Sequence, residues 1–329
     1  MMWSISRKQH NNNAGEKVLL ILSYVLMFIC PPYAIVRIFL NKECGIAEKI
    51  AKTIFYLVFW VYSLTFLFFV FWAFYNSLKQ SDEEFLNHMM DFPSVWRLQN
   101  YVDAYNYITD KDSGVGFIAM FVNSVWFAGG SAFLTTLMHA ITGYIFAKYT
   151  FPGQKVAFRI ILISIAIPIV GSLPSLYKVI YALNIQESPL ILIMYLSGFG
   201  SNFLIMYAFF RSVSKTYMEA AEIDGANRFQ IFFRIMLPMC AGPFLSLFIL
   251  TFIAQWNNYE TPILFLRTMP TLSSGLYNFS ENIKFDHSII HGRPLFFAGI
   301  LMASLPVIIL VAVFGNKIMK NVNMGGIKG

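Results

Sequence analysis

Charge is what this chain has least of. Of 329 residues only 12% are Asp, Glu, Lys or Arg, while 57% are hydrophobic. Soluble domains carry roughly a quarter charged residues, so the composition excludes an ordinary soluble protein and implies one embedded in a membrane. Cysteine is also scarce. Cys30, Cys44 and Cys240 are the three, and none forms a CxxC pair, so neither a disulfide framework nor a metal site is indicated. No GxxxxGK[ST] stretch is present to cradle a nucleotide phosphate. Carboxylates are missing from the apolar runs, except Glu260 at the end of one, which argues against a proton- or sodium-coupled carrier that works through intramembrane acids. Paired acids, a metal cluster or a Ser/His/Asp set facing one membrane side would mark a membrane enzyme, and none is found. His139, Tyr144 and Lys178 lie in or near apolar runs; a lone histidine there is more often structural than a ligand.

What is present is a series of long apolar runs. Val18 to Leu40 is long enough to span a core about 30 Å thick, but Pro31-Pro32 and Arg37 interrupt it. A kinked span, a re-entrant hairpin and an interfacial helix all remain open for it. No small-x-small cleavage site follows it, so it does not read as a cleavable signal. Clear spans are expected at Ile54–Asn76, Ile118–Ala147, Ile160–Leu183, Leu190–Phe210, Met239–Pro262 and Leu295–Ile318. Gly129-Gly130 is expected to interrupt the second of these. Pro168 and Pro174 lie inside the third, as gate elements or as static kinks. The fold class expected is all-α: a polytopic membrane protein of six core spans plus an N-terminal apolar helix.

The surplus of Lys and Arg, +7 overall, falls mainly on one side. Lys148, Lys155, Arg159, Arg211, Lys215, Arg228, Arg234, Lys317, Lys320 and Lys328 sit in short segments, which the positive-inside rule places in the cytoplasm. Tyr217 to Pro238 lies on that side. Glu219, Ala220, Ala221 and Glu222 are good helix formers in a short amphipathic helix. Asp224-Gly225 reads as its stop, because glycine takes the left-handed conformation that ends helices. Asn227 is expected to cap a second helix running through Ile231 and Ile235 to Leu237-Pro238.

These residues also carry a resemblance. Glu219-Ala220-Ala221, then Gly225, Ile235 and Leu237-Pro238 at set spacing are similar to the EAA loop of ABC-importer permeases. The Asp224-Gly225-Ala226 variant resembles that of the maltose-type carbohydrate uptake permeases. Gln99-Asn100-Tyr101 resembles the ENY segment of the outer helix in sugar permeases, with Gln where Glu is usual. Asn123-Ser124 resembles the start of their transport domain, and Gly325-Gly326-Ile327-Lys328-Gly329 their tail. The resemblance covers about residues 55–329 and implies the type I permease fold. It implies a division into an N-terminal extension (1–52), a first core span with an external helical loop (53–117), a transport domain (118–319) holding the coupling loop at 211–238, and a cytoplasmic tail (320–329).

It implies function as well: a permease subunit of an ATP-driven importer for a sugar or oligosaccharide. Its partners would be a second related permease, two ATPase subunits and an extracytoplasmic solute-binding protein. No cofactor is expected on this chain; ATP and Mg belong to the ATPase. Glu219, Ala220, Ala221, Asp224, Gly225, Ala226, Leu237 and Pro238 would couple to the ATPase. Amides bond sugar hydroxyls and aromatic rings stack on sugar faces, so Asn123, Trp256, Asn257, Asn258 and Tyr259 are candidates for the substrate path. An interfacial aromatic belt is the other reading of the 255–260 block. An importer for a peptide, amino acid or glycerol phosphate, and a stand-alone secondary carrier, are the alternatives.

Overall fold

The computed structural model describes residues 30–40, 45–109, 113–167, 171, 173–285 and 292–324, with side chains followed as far as 284 and from 292 to 315 in the last part. The beginning of the first apolar run, Cys44, Pro168 and the tail 325–329 therefore lie outside the described residues. Every regular element among those described is helical. The chain divides into two compact units, residues 1–73 and 74–329.

In the first unit, α1 (Pro31–Leu40) is a ten-residue apolar helix, with Pro31-Pro32 at its start rather than in its middle. Proline at the first helical turn costs no hydrogen bond, because those N–H groups have no helical partner. The end of α1 is tied to the start of α2 (Ile46–Ser77) by Lys49 Nζ, which donates to the Phe39 carbonyl at 2.8 Å. Helix α2 is 32 residues long, and none of its most apolar stretch is buried. Its hydroxyls are satisfied locally: Ser63 and Thr65 donate to the carbonyls four residues before them. That is how a helix facing hydrocarbon carries serine and threonine.

The second unit begins with a polar platform that follows the end of α2. Helices α3 (Asp82–Asn87) and α4 (Gln99–Tyr107) form it. Asn100 is fully buried and its amide donates to the carbonyls of Ser77 and Lys79 at 2.8 Å each. Those carbonyls end α2 and have no helical partner, so the asparagine of the Gln99-Asn100-Tyr101 segment closes the helix. Tyr101 adds a 2.9 Å contact to the Ser77 hydroxyl. Lys79 is buried over the rings of Tyr75 and Phe85, and its ammonium donates to the His88 carbonyl. Arg293 binds both carboxylate oxygens of Asp82, at 2.8 Å from its backbone and 2.9 Å from its guanidinium.

From there the chain runs through α5 (Phe117–Lys148), α6 (Gln154–Ala166), α7 (Leu173–Ala182), a 3₁₀ turn at Pro189–Tyr195, α8 (Ser201–Ser212), the polar loop, α11 (Ala241–Trp256), α12 (Glu260–Phe265), α13 (Leu272–Phe285) and α14 (Gly292–Met324). Among the described residues three helices are long and apolar enough to cross a membrane: α2, α5 and α14 as far as Gly315. The expected span at 239–262 is α11 followed by the break at Asn257 and short α12. The expected span at 190–210 is the 3₁₀ turn joined to α8. In both, the hydrophobic run is continuous in sequence and broken in backbone.

Helix α5 is continuous through Gly129-Gly130, against the expected interruption. Two glycines cost a helix about 2 kcal/mol of propensity. The packing on both sides outweighs that cost, since α5 contributes to all three buried clusters. Phe117, Met120 and Ala128 join α4, α13 and α14; Phe127 meets α7, the 3₁₀ turn and α12; Ala140 and Tyr144 meet α8 and the polar loop. Alongside it α8 lies parallel and in register. Gly200 faces His139, Met206 and Tyr207 face Gly143, and the Thr142 hydroxyl donates to the Gly198 carbonyl at 2.5 Å. Close approach of small residues is how helices adhere where water does not drive them together.

Candidate coupling site

The polar loop starts where α8 ends at Val213. Helix α9 (Thr216–Ile223) follows, its first N–H accepted by the Ser214 hydroxyl at 3.2 Å. Its end is a Schellman motif. Gly225 N–H donates to the Glu222 carbonyl at 3.1 Å, and Ala226 N–H to the Ala221 carbonyl at 2.9 Å. Gly225 has φ +81°, the left-handed position this motif requires. The motif also wants an apolar contact between the residues at its two ends, here Ala226 against buried Ala221. The spacing of Ala221, Gly225 and Ala226 thus has a local cause: it makes a two-turn helix with a fixed stop.

Asn227 then opens α10 (Arg228–Met239) with a reciprocal capping box. Its side chain accepts from Gln230 N–H at 2.9 Å, and the Gln230 side chain accepts from Asn227 N–H at 2.8 Å. The middle of α10, Ile231–Met236, is wound as a π-helix. The wider turn lies just before Pro238, whose ring would press on the carbonyl four residues back in a regular α-helix. At Cys240 the chain bends by 80° into α11.

One face of α9 is spent on the interior: Met218 and Ala221 are buried among Tyr144, Phe210, Ile231, Phe232 and Met236. The other face is open. Glu219, Ala220, Glu222, Asp224 and Gly225 are exposed, Ala226 and Leu237 half-buried, and Pro238 exposed. Among the described residues the most exposed large apolar side chains flank the glycine turn. Ile223 is 86% exposed and Phe229 77%. Neither belongs to the motif positions; the available signal is that Ile223 directly precedes Asp224-Gly225 and Phe229 directly follows Asn227-Arg228 in a polar loop. A groove of about 560 Å³ runs beside the helix, lined by Ser214, Tyr217, Ala220, Asp224 and Ile235 among others. The site therefore offers two apolar knobs, Ile223 on α9 and Phe229 on α10, with three carboxylates and a groove beside a short helix whose ends are fixed. Such a surface suits contact with a partner's apolar and basic groups, and it brings no nucleophile or acid–base pair together.

The five candidates for the substrate path do not form one cluster. Trp256 is buried and donates its indole N–H to the Ala303 carbonyl at 3.1 Å, which commits it to the α11–α14 contact. Asn123 donates to the Pro270 carbonyl at 3.0 Å and accepts from Trp126 at 3.2 Å. Asn257 is exposed and turns back to the Ile253 carbonyl. Tyr259 stacks on Tyr277, with centroids 4.6 Å apart and planes at 9°. Asn258 belongs to a polar cluster: it donates to Gln255 Oε1 at 3.0 Å and to the Thr261 hydroxyl at 3.1 Å, while the Tyr195 hydroxyl donates to the same Gln255 oxygen at 3.1 Å. Asn202 pairs with Thr251 at 3.3 Å one turn or so along α11. Tyr195 and Asn202 come from other helices, so only the fold reveals their approach to α11, whereas Thr261 follows Asn258 closely in the chain.

Residues 139–317 match the family described as binding-protein-dependent transport system inner membrane component. The chain is 30% identical over 288 residues to the arabinooligosaccharides transport system permease protein AraQ of Bacillus subtilis, covering 85% of this chain and 96% of that one. It is 28% identical over 258 residues to the diacetylchitobiose uptake system permease protein NgcG of Streptomyces coelicolor, covering 77% and 82%. In backbone it is similar to a chain of a bacterial ABC transporter involved in the import of the acidic polysaccharide alginate, with a TM-score of 0.67, 19% identity, and coverage of 83% and 98%.

Proposed function

Since the chain belongs to the family of binding-protein-dependent transport system inner membrane components, we propose that it is the permease subunit of an ATP-driven importer for a sugar or oligosaccharide. Helix α9 docks into a separate ATPase, which carries the nucleotide and Mg. A second, related permease completes the pathway, and an extracytoplasmic binding protein delivers the solute. The sugar reading is supported by relatives named for arabinooligosaccharides and diacetylchitobiose. The basic segments around 148–159 and 211–238 put α9 on the cytoplasmic side. In this reading the division at residues 52, 117 and 319 separates an N-terminal extension, an entry span with its external platform, the transport domain and the tail. The polar cluster of Tyr195, Gln255, Asn258 and Thr261 offers the solute hydrogen-bonding groups at the end of α11.

The observation that carries the proposal is the open face of α9. A two-turn helix is too short to be stable alone. Here it is held by its buried face and its fixed ends, and together with the start of α10 it presents Ile223 and Phe229 to the aqueous side, where exposed apolar groups mark a protein interface. Replacing both by serine removes the knobs while leaving the buried face intact. The double variant should reach the membrane at the normal level and lose ATPase copurification at least tenfold. Normal copurification would show that the ATPase docks elsewhere.

A further inference from the structure

Helix α9 is attached to α5 as well as to its own neighbours in sequence. At its entry, buried Lys148, the last residue of α5, donates its ammonium to the carbonyl of Val213, the C-cap of α8. Helices α5 and α8 run parallel and end together, so this single charge lies at the negative ends of two helix dipoles. At its exit, the Arg228 guanidinium lies over the Tyr149 ring at 5.7 Å. The Tyr149 hydroxyl is 3.1 Å from that of Tyr144, which also reaches Met218 on the buried face of α9 and packs on Phe232 at 5.0 Å. The covalent exit from the loop is a weaker link, because it passes through the π-wound turn and the 80° bend. The far end of α5 is latched too. Asn123 donates to the Pro270 carbonyl at 3.0 Å and the Ser124 hydroxyl accepts from Leu272 N–H at 2.8 Å, at the start of α13.

We infer that α5 is the lever of this permease: Lys148 and the Tyr149–Arg228 contact clamp the coupling helix to it, and Asn123-Ser124 hand its motion to the segment 270–272 at the opposite end. Lys148 is a positioning residue; it touches neither nucleotide nor solute. The inference rests on the docking of α9 proposed above, and gives that docking a route. A 32-residue helix is about 48 Å long, enough to carry a displacement from one side of a membrane to the other in one rigid element.

The test is a spin-label distance within the full chain, purified with whatever ATPase accompanies it. Labels go on Lys215→Cys, at the start of α9, and Val122→Cys, on the exposed outer part of α5, with Cys30, Cys44 and Cys240 replaced by Ala. The pair spans about 40 Å by the helix rise. A narrow distribution is expected, unchanged by adding the nonhydrolysable analogue AMP-PNP with Mg, because helix and lever move together. Lys148→Met should at least double its width and make it respond to the nucleotide, and Lys148→Arg should restore the parent behaviour. Should Lys148→Met fail to fold, Arg228→Gln, at an exposed side chain, is expected to broaden the distribution through the second contact. A distribution in the parent that shifts with nucleotide, or variants with the parent's narrow distribution, would overturn the clamp. Absence of any ATPase from the parent preparation would overturn the docking reading instead, and the nucleotide-free widths would still decide the clamp.

Discussion

Gly225 shows how one residue sets the coupling loop. Its φ of +81° places it where a side chain is strained, and no neighbouring atom lies within 4 Å of a Cβ added there. The penalty for a substitution is therefore in the backbone. Gly225→Val should cost about 1–2 kcal/mol locally, with normal insertion and a several-fold loss of bound ATPase in a pull-down from solubilised membranes. This much was legible in the sequence, since Asp-Gly after a helical stretch in a polar loop signals the stop. What the sequence hides is the distant packing behind the stop, the burial of Met218 and Ala221 against Tyr144 and Phe210. A second residue tests the platform. Burial raises the Glu84 carboxyl pKa, but hydrogen bonds from the Ser94 backbone and hydroxyl and from Gln80 N–H, with the Lys79 charge, outweigh it and hold it below the usual value of 4.5. A carboxylate with a depressed folded pKa contributes stability above its unfolded pKa and loses it as pH falls through the folded one. Glu84→Gln should lower stability by about 1 kcal/mol at pH 7. The gap in melting temperature between it and the parent should close as the pH is lowered through 4.5 and below.

At the scale of elements, the contact between α5 and α8 makes the sharpest demand. A Cβ on Gly143 would come within 2.9 Å of the Tyr207 backbone nitrogen and 3.1 Å of Met206 Cβ. Glycine to alanine inside a helix ordinarily gains about 1 kcal/mol. Here overpacking against backbone reverses the sign, and Gly143→Ala should destabilise by roughly 1–3 kcal/mol, read as a lower melting temperature of the purified protein. The composition of the apolar runs revealed where helices would lie, because burial in hydrocarbon needs long runs of apolar residues. It did not reveal their breaks. The 3₁₀ turn before α8 and the π-turn before Pro238 come from tertiary contacts and from local crowding, neither of which leaves a periodic trace. The expected interruption of α5 failed for the complementary reason: propensity is a weak force beside packing on three sides.

At the scale of the whole molecule, the family and its fold were readable from the spacing of one loop, because the stop at Gly225 and the cap at Asn227 are made by residues close together in the chain. The substrate region was much less readable. Of the residues around 255–260, Trp256 serves the α11–α14 contact and Asn258 a polar cluster completed by nearby Thr261 and by Tyr195, which lies far off in the chain. Hydrogen-bonding groups for a solute are assembled in space, and no run of sequence records their convergence. The candidate coupling loop is local and the candidate pathway is not.

What this chain holds on to decides its role most directly. Tagged and gently solubilised from the membranes of its own host, it should bring down an ATPase and a second permease of similar size, and solute uptake into vesicles should require ATP on the side of α9. If it purifies alone and moves solute in liposomes without ATP, it is a self-sufficient carrier and the docking role given to α9 is wrong.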